Sequence, residues 1–130
     1  MKRGIEHGIP LSAQVIKLLK TLEVISKRES EYLFPARDTV NKPISNLTFN
    51  AALNRMGYLG KQNPHGFRHI ASTHLNDQYS DREQVIEAAL AHLKLGVKGA
   101  YDKGAHLRER YGIMQYWSDY LDKICGKRKF

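Results

Sequence analysis

With 130 residues the chain is long enough for one domain with a buried core and too short for two full ones. The 21 Lys and Arg against 13 Asp and Glu leave a formal charge of +8 in a chain that is 42% apolar, which points to an acidic partner, most commonly nucleic acid, without separating DNA from RNA. Cys125 is the single cysteine, which excludes an internal disulfide and a thiolate metal cluster, and no apolar run approaches a membrane span or a signal-peptide core; a soluble, cytoplasmic protein is expected.

Residues 1 to 11 are short and broken by glycine, and Ile5, His7 and Ile9 alternate as in an edge or hairpin strand, so the chain reads as beginning in mid-element. Ser12 is placed to cap a helix whose apolar stripe is Val15, Ile16, Leu18, Leu19 and Leu22, read as core scaffolding. A polar stretch leads to Tyr32-Leu33-Phe34, expected as a short strand stopped by Pro35, and a loop follows to Pro43. Ser45 begins the next helix, in which Phe49, Ala52, Leu53 and Met56 recur at helical spacing before Gly57 ends it. Its other side carries Asn46, Asn50, Asn54 and Arg55, which suits a solvated face or contact with DNA, with no base-reading pattern evident.

Asn63-Pro64 is a strong helix start, an N-cap residue followed by a proline preset for the first turn. His65 and Arg68 then lie three residues apart, on one face of the first turns and within the favourable field of the helix N-terminus. A guanidinium fork beside an imidazole fits a phosphate. This helix is expected to run to Tyr79 and to bury Phe67, Ile70, Ala71 and Leu75. Ser80-Asp81-Arg82-Glu83 reads as a capping box that starts another helix, through Val85, Ile86, Ala89 and Leu90 to about His92. A glycine-containing connector precedes Tyr101. From Leu107 a long amphipathic helix carries Leu107, Tyr111, Met114, Trp117, Leu121 and Ile124 before a basic tail. His69, His74 and His106 read as surface residues.

Singly, these residues signify little. Their order and spacing carry more: His65 and Arg68, then Leu90-Ala91-His92, then Tyr101 nine residues after that histidine. The combination resembles the tyrosine recombinase (phage integrase) family, with its His-x-x-Arg box, Leu-Gly-His box and tyrosine nucleophile. Tyr101-Asp102-Lys103 and the run Met114-Gln115-Tyr116-Trp117-Ser118-Asp119-Tyr120-Leu121 are similar to the prophage and genomic-island integrases within it. The family's catalytic lysine lies on a β-hairpin shortly before a His-x-x-Pro-Leu stretch; His7-Gly8-Ile9-Pro10-Leu11 fits that stretch and places Lys2 at the corresponding offset. Arg3 is the poorer general acid, because a guanidinium gives up its proton too reluctantly.

The resemblance implies a mainly α (α+β) fold with a short N-terminal β element and about five helices, residues 1–130 forming the C-terminal portion of an integrase catalytic domain as a single domain. It implies site-specific DNA recombination through a 3′-phosphotyrosine intermediate, with Tyr101, Arg68, His65, His92 and Lys2 catalytic and the last four also contacting DNA. No metal or nucleotide cofactor is implied. The partners would be a double-stranded attachment site and further copies of the chain, a tetramer in the intact enzyme. A second family arginine, on a helix upstream of the hairpin, has no counterpart before Lys2, so the chain alone is expected to be inactive. Two rivals stand beside this reading. A non-catalytic basic DNA-binding module explains the charge but not the spacing to Tyr101. A metal site on His65, His69 and His92 lacks the glutamate of a zinc hydrolase motif, since Gly66 follows His65.

Overall fold

The computed structural model describes residues 8–26, 29–91 and 106–126. Five α-helices and no strand occur among them: α1 Ala13–Ser26, α2 Leu47–Leu53, α3 Pro64–Gln78, α4 Glu83–Ala89 and α5 Leu107–Cys125. The mainly helical class expected from the sequence holds. The N-terminal β element is not part of the picture: residues 1–7 lie outside the described residues, and residues 8–11 are irregular. The chain divides into two compact units, one of Met1–Leu19 with Ala71–Phe130, the other of Lys20–Ile70.

The first unit holds the apolar core. Leu75 of α3, Val85 and Ile86 of α4 and Ile113 of α5 are buried together, with Tyr79, Leu90, Tyr116 and Trp117 packed around them. Each such aliphatic side chain contributes about 1.5–3 kcal/mol on burial. At the start of α1, Ser12 Oγ accepts the Val15 N–H (3.3 Å), the cap that the sequence anticipates. α5 completes that helix end: Gln115 Oε1 accepts the Ala13 N–H (3.0 Å), and the Ser118 hydroxyl donates to Ser12 Oγ (2.7 Å). Gln14 Nε2 donates to Asp119 (2.7 Å) and Asp122 (3.1 Å), so a polar seam joins α1 to α5.

The second unit is built from turns and short helices. Ala36 N–H donates to the Lys42 carbonyl (2.8 Å) and Ile44 N–H to that of Phe34 (2.9 Å), around an antiparallel bridge between Pro35 and Pro43. The expected strand at Tyr32–Phe34 is replaced by this closed loop, because two prolines supply no N–H and end the pairing after one bridge. α2 passes into a wider turn, Asn54–Tyr58, where Gly57 adopts φ 86, a left-handed conformation that glycine reaches without steric penalty. Phe49 of α2 packs edge-on against Phe34, ring centroids 5.8 Å apart.

Several expected faces are turned otherwise. On α1 only Val15, Leu19 and Leu22 of the stripe are half-buried, while Ile16 and Leu18 are exposed; at about 100° per residue the first three share a narrow face and the other two lie at its edges. Ala71 and Leu75 of α3 are buried as expected, but Phe67 is 53% and Ile70 50% exposed. The capping box does not form: Tyr79 O accepts the Arg82 N–H (3.0 Å), so Ser80 and Asp81 occupy a turn and α4 begins only at Glu83 and ends at Ala89, short of His92. On α5 the buried residues are Arg110 and Ile113 rather than Leu107, Tyr111 and Ile124, which are exposed. The packed face is set by the position of α4, which periodicity alone does not encode.

Candidate phosphate-binding site at the start of α3

Local chemistry accounts for the site. Asn63 Oδ1 accepts the Gly66 N–H (2.9 Å), which the Asn63 carbonyl shares (3.0 Å), so the asparagine caps α3 as its position predicts. Pro64, the first helical residue, has no N–H to satisfy. The His65 amide is the one that helix geometry leaves over for a ligand, at the positive end of the macrodipole of a 15-residue helix. His65 is exposed and Arg68 half-buried, one turn apart on the same side of α3. The arrangement offers an anion a backbone donor, an imidazole and a guanidinium within the first two turns.

Gln62 and Gly66 are a pair that the sequence reading did not single out. Gln62 Oε1 accepts the Asn63 N–H (2.9 Å), and a Cβ on Gly66 would lie 2.0 Å from that oxygen. Glycine at 66 therefore leaves room for the Gln62 amide to fold over the first turn. Repeated polar residues before a helix cap hint at such a contact, but only the fold shows which one closes it.

The other expected site residues, Lys2, His92 and Tyr101, lie outside the described residues. Ala91, the residue before His92, has φ 52, in the left-handed region, where an alanine is strained. Among the described residues no group of three or more His, Cys, Asp or Glu is placed to hold a metal ion.

Two buried polar groups near α5 were also missed. Arg110 is 4% exposed; its Nη2 donates to the Gly8 carbonyl while its Nε has no hydrogen-bond partner. His74 is not a surface residue but half-buried in an aromatic cluster, stacked on Tyr120 with centroids 3.9 Å apart and flanked by Trp117 at 5.5 Å. Tyr116 donates its hydroxyl to Gln78 Oε1 (3.1 Å), and the same hydroxyl lies within hydrogen-bond distance of His74 Nε2 (3.2 Å). The sequence signal was present in the spacing of Tyr116, Trp117 and Tyr120, but nothing in it names the facing residue of α3. His69 and His106 are exposed as expected, His106 pairing with Glu109 at 3.0 Å.

A capped helix start bearing His and Arg is chemically suited to a phosphate, and comparison with known proteins shows the family. Residues 1–106 match the model of the phage integrase family, and the chain belongs to that family. It is 40% identical over 118 residues to the integrase of Shigella phage Sf6, covering 90% of this chain and 30% of that protein. The prophage integrase IntS of Escherichia coli K12 is 39% identical over 118 residues with the same coverage, and the integrase of Enterobacteria phage P4 is 40% identical over 131 residues, covering 98% of this chain and 30% of its own. The chain thus spans about a third of the length of the curated relatives it matches. No solved structure matches it. Among the described residues no helix is long and apolar enough to cross a membrane.

Proposed function

We propose that this chain forms the C-terminal portion of the catalytic domain of a site-specific DNA recombinase, residues 1–130 acting as one domain, that cuts and rejoins strands through a 3′-phosphotyrosine intermediate. The observation that carries the reading is the capped start of α3 with His65 and Arg68, in a chain of the phage integrase family whose Leu90-Ala91-His92 and Tyr101 follow at the family's spacing.

Tyr101 Oη attacks the scissile phosphorus; a tyrosine–phosphate bond forms and the bond from phosphorus to the 5′-oxygen breaks. A phenol with a reference pKa of about 10 is a weak nucleophile at neutral pH, so its proton must be taken as the bond forms. His65 accepts it, and Lys2 delivers a proton to the departing 5′-oxygen. Arg68 and His92 hold the non-bridging oxygens, with the field of the α3 N-terminus behind them. The 5′-hydroxyl of a partner strand then reverses the step. The bond energy is kept in the intermediate, so the chemistry calls for neither metal nor nucleotide. The family's upstream arginine would come from a segment preceding Lys2, the chain by itself would not cleave, and the working form would be a tetramer on a duplex attachment site in the cytoplasm.

The test is covalent trapping on nicked duplex DNA, enriched by the chain from a random pool, with the chain alone and joined to the upstream region of a 40% identical relative. A denaturation-resistant protein–DNA band from the joined protein, lost on Tyr101→Phe with binding retained, is expected, a fall of more than about 10³-fold in cleavage. Persistence of the band in Tyr101→Phe would remove Tyr101 as nucleophile. Binding without any band from either protein would return the reading to a non-catalytic DNA-binding module.

A further inference from the structure

Arg110 is the one buried charged side chain among the described residues. Its Nη2 donates to the Gly8 carbonyl, and its Nε has no hydrogen-bond partner. Taking a guanidinium out of water is costly, and a buried donor left unsatisfied adds to the cost. Ile113 of the apolar core lies three residues away on the same side of α5, so an apolar side chain of similar volume would suit this position better. Core stability does not account for the arginine; the carbonyl it holds does.

Gly8 opens a strap, residues 8–12, that is tied to α5 at both ends. At the far end Ser12 is buried and its Oγ accepts from the Ser118 hydroxyl (2.7 Å), while the Ala13 N–H donates to Gln115 Oε1 (3.0 Å). The eight residues of helix from Arg110 to Ser118 rise about 12 Å, and the four residues from Gly8 to Ser12 reach about 13 Å when extended, so the two anchors fit a strap drawn out along the helix. The residues between them are weak anchors. Ile9 and Leu11 are exposed, and Pro10 has no N–H to give. Without Arg110 the strap is fastened at Ser12, and the chain before it is free to pivot there.

We propose that Arg110 is a positioning residue: it fixes Gly8 and, through the chain between Gly8 and Lys2, fixes where the Lys2 ammonium meets the departing 5′-oxygen. The proposal rests on the reading of the chain as a DNA recombinase with Lys2 as general acid. Lys2 precedes Gly8 by six residues, about 20 Å of chain at full extension, so an anchor at Gly8 bounds the reach of the lysine. A general acid works only within hydrogen-bond distance of the atom it protonates, and a misplacement of about 1 Å lowers a rate about 100-fold. Burial keeps Arg110 itself from the DNA, so its effect passes through the strap. The rigid guanidinium suits the task, whereas a lysine would reach the carbonyl on a looser stem.

The experiment compares cleavage of nicked duplexes that carry oxygen or sulfur at the 5′ bridging position of the scissile phosphate, by the chain joined to the upstream region of a 40% identical relative. In both, the bond from Tyr101 Oη to phosphorus forms. In the first the phosphorus–oxygen bond breaks and the oxygen takes a proton from Lys2; in the second the phosphorus–sulfur bond breaks and a thiolate leaves without one, since thiols ionise near a pH of about 8.5. Lys2→Ala is the reference, expected to slow the oxygen duplex and spare the sulfur duplex. Arg110→Leu should do the same, about 100-fold on oxygen and at the wild-type rate on sulfur, with Arg110→Lys in between. Lys2→Ala/Arg110→Leu should be no slower than Lys2→Ala, as for two residues that act in one step. In the chain alone, Arg110→Leu should speed amide exchange at Ile9 and Leu11 while helicity by circular dichroism is kept. If Arg110→Leu does not fold, the oxygen-to-sulfur ratio of Arg110→Lys decides. Equal losses on the two duplexes would make Arg110 a structural residue and overturn the inference, as would wild-type rates on both. Equal losses for Lys2→Ala would remove Lys2 as general acid and the inference with it, leaving Tyr101 untouched. A wild-type protein that cuts neither duplex would overturn the recombinase reading itself.

Discussion

The two units differ in how they are held together. Every buried residue among those described, from Ser12 to Ile113, belongs to the unit formed by Met1–Leu19 and Ala71–Phe130. The unit Lys20–Ile70 has none, and it exposes Val24, Ile25, Leu33, Phe34, Phe49, Met56, Leu59, Phe67 and Ile70. Yet it is this uncored unit that carries His65 and Arg68. Capping bonds, turns and one bridge hold its elements, and the start of α3 owes its shape to Asn63, Pro64 and Gln62 rather than to packing. Under the proposed function this site would meet a DNA backbone and would have to stay open, and local hydrogen bonding shapes such a surface without covering it.

The comparison is broken most forcefully through the core. Ile86→Ala removes a fully buried side chain from among Leu75, Val85 and Ile113 and should destabilise the chain by about 2–5 kcal/mol. Phe49→Ala, in the uncored unit and nearly half exposed, should cost less than about 1.5 kcal/mol. Urea unfolding followed by circular dichroism measures both. Equal losses would mean that the two units share one stabilising core.

Ser12→Ala comes next, at about 1–2 kcal/mol. It takes away the cap on the Val15 N–H and the acceptor of the Ser118 hydroxyl at the polar seam. Ser118→Ala separates the two contributions, since it spares the cap, and in the same unfolding measurement it should lose less than Ser12→Ala.

Asn63→Ala carries the comparison to the uncored unit, where a cap stands without a seam. A loss of about 1 kcal/mol is expected, with a frayed first turn of α3 and weaker retention on DNA at fixed salt. Asn63→Asp should keep the cap and the stability, because a carboxylate accepts the Gly66 N–H as well, while its negative charge opposes phosphate. Stability and DNA retention measured on both variants distinguish a cap that shapes the site from one that only ends a helix.

These differences track what was legible in the sequence. Asn63-Pro64, Ser12 and Gly57 were readable because capping and left-handed turns depend on the residue and its near neighbours. Ser80-Asp81-Arg82-Glu83 satisfied the same local rule and failed, because the Tyr79–Arg82 turn claimed its first residues. The buried face of α5, centred on Arg110 and Ile113, and the aromatic surroundings of His74 were not readable, since each depends on which helix comes to lie opposite. Of the site, the order of His65 and Arg68 and their place on one helix were plain, whereas the fold of Gln62 over Gly66 was not.

The smallest effect concerns backbone strain. Among the described residues the uncored unit has only glycine at positive φ, Gly57 at 86° and Gly60 at 71°, while the cored unit places Ala91 at 52° and His106 at 57° there beside Gly126 at 74°. A packed unit can hold such conformations against their steric penalty; a unit assembled from turns has less to hold them with. Ala91→Gly should therefore relieve about 1–2 kcal/mol of left-handed strain, offset by about 0.5–1 kcal/mol from the greater freedom of glycine in the unfolded chain. The net is a stabilisation of about 0–1.5 kcal/mol, read as a rise of up to a few degrees in Tm. Because Ala91 directly precedes His92, the same variant in the covalent trapping assay reports whether the strain is borne for the chemistry. A gain in stability with a loss of cleavage would mark Ala91 as holding His92 in a working position, and a gain in both would mark it as strain that the core merely tolerates.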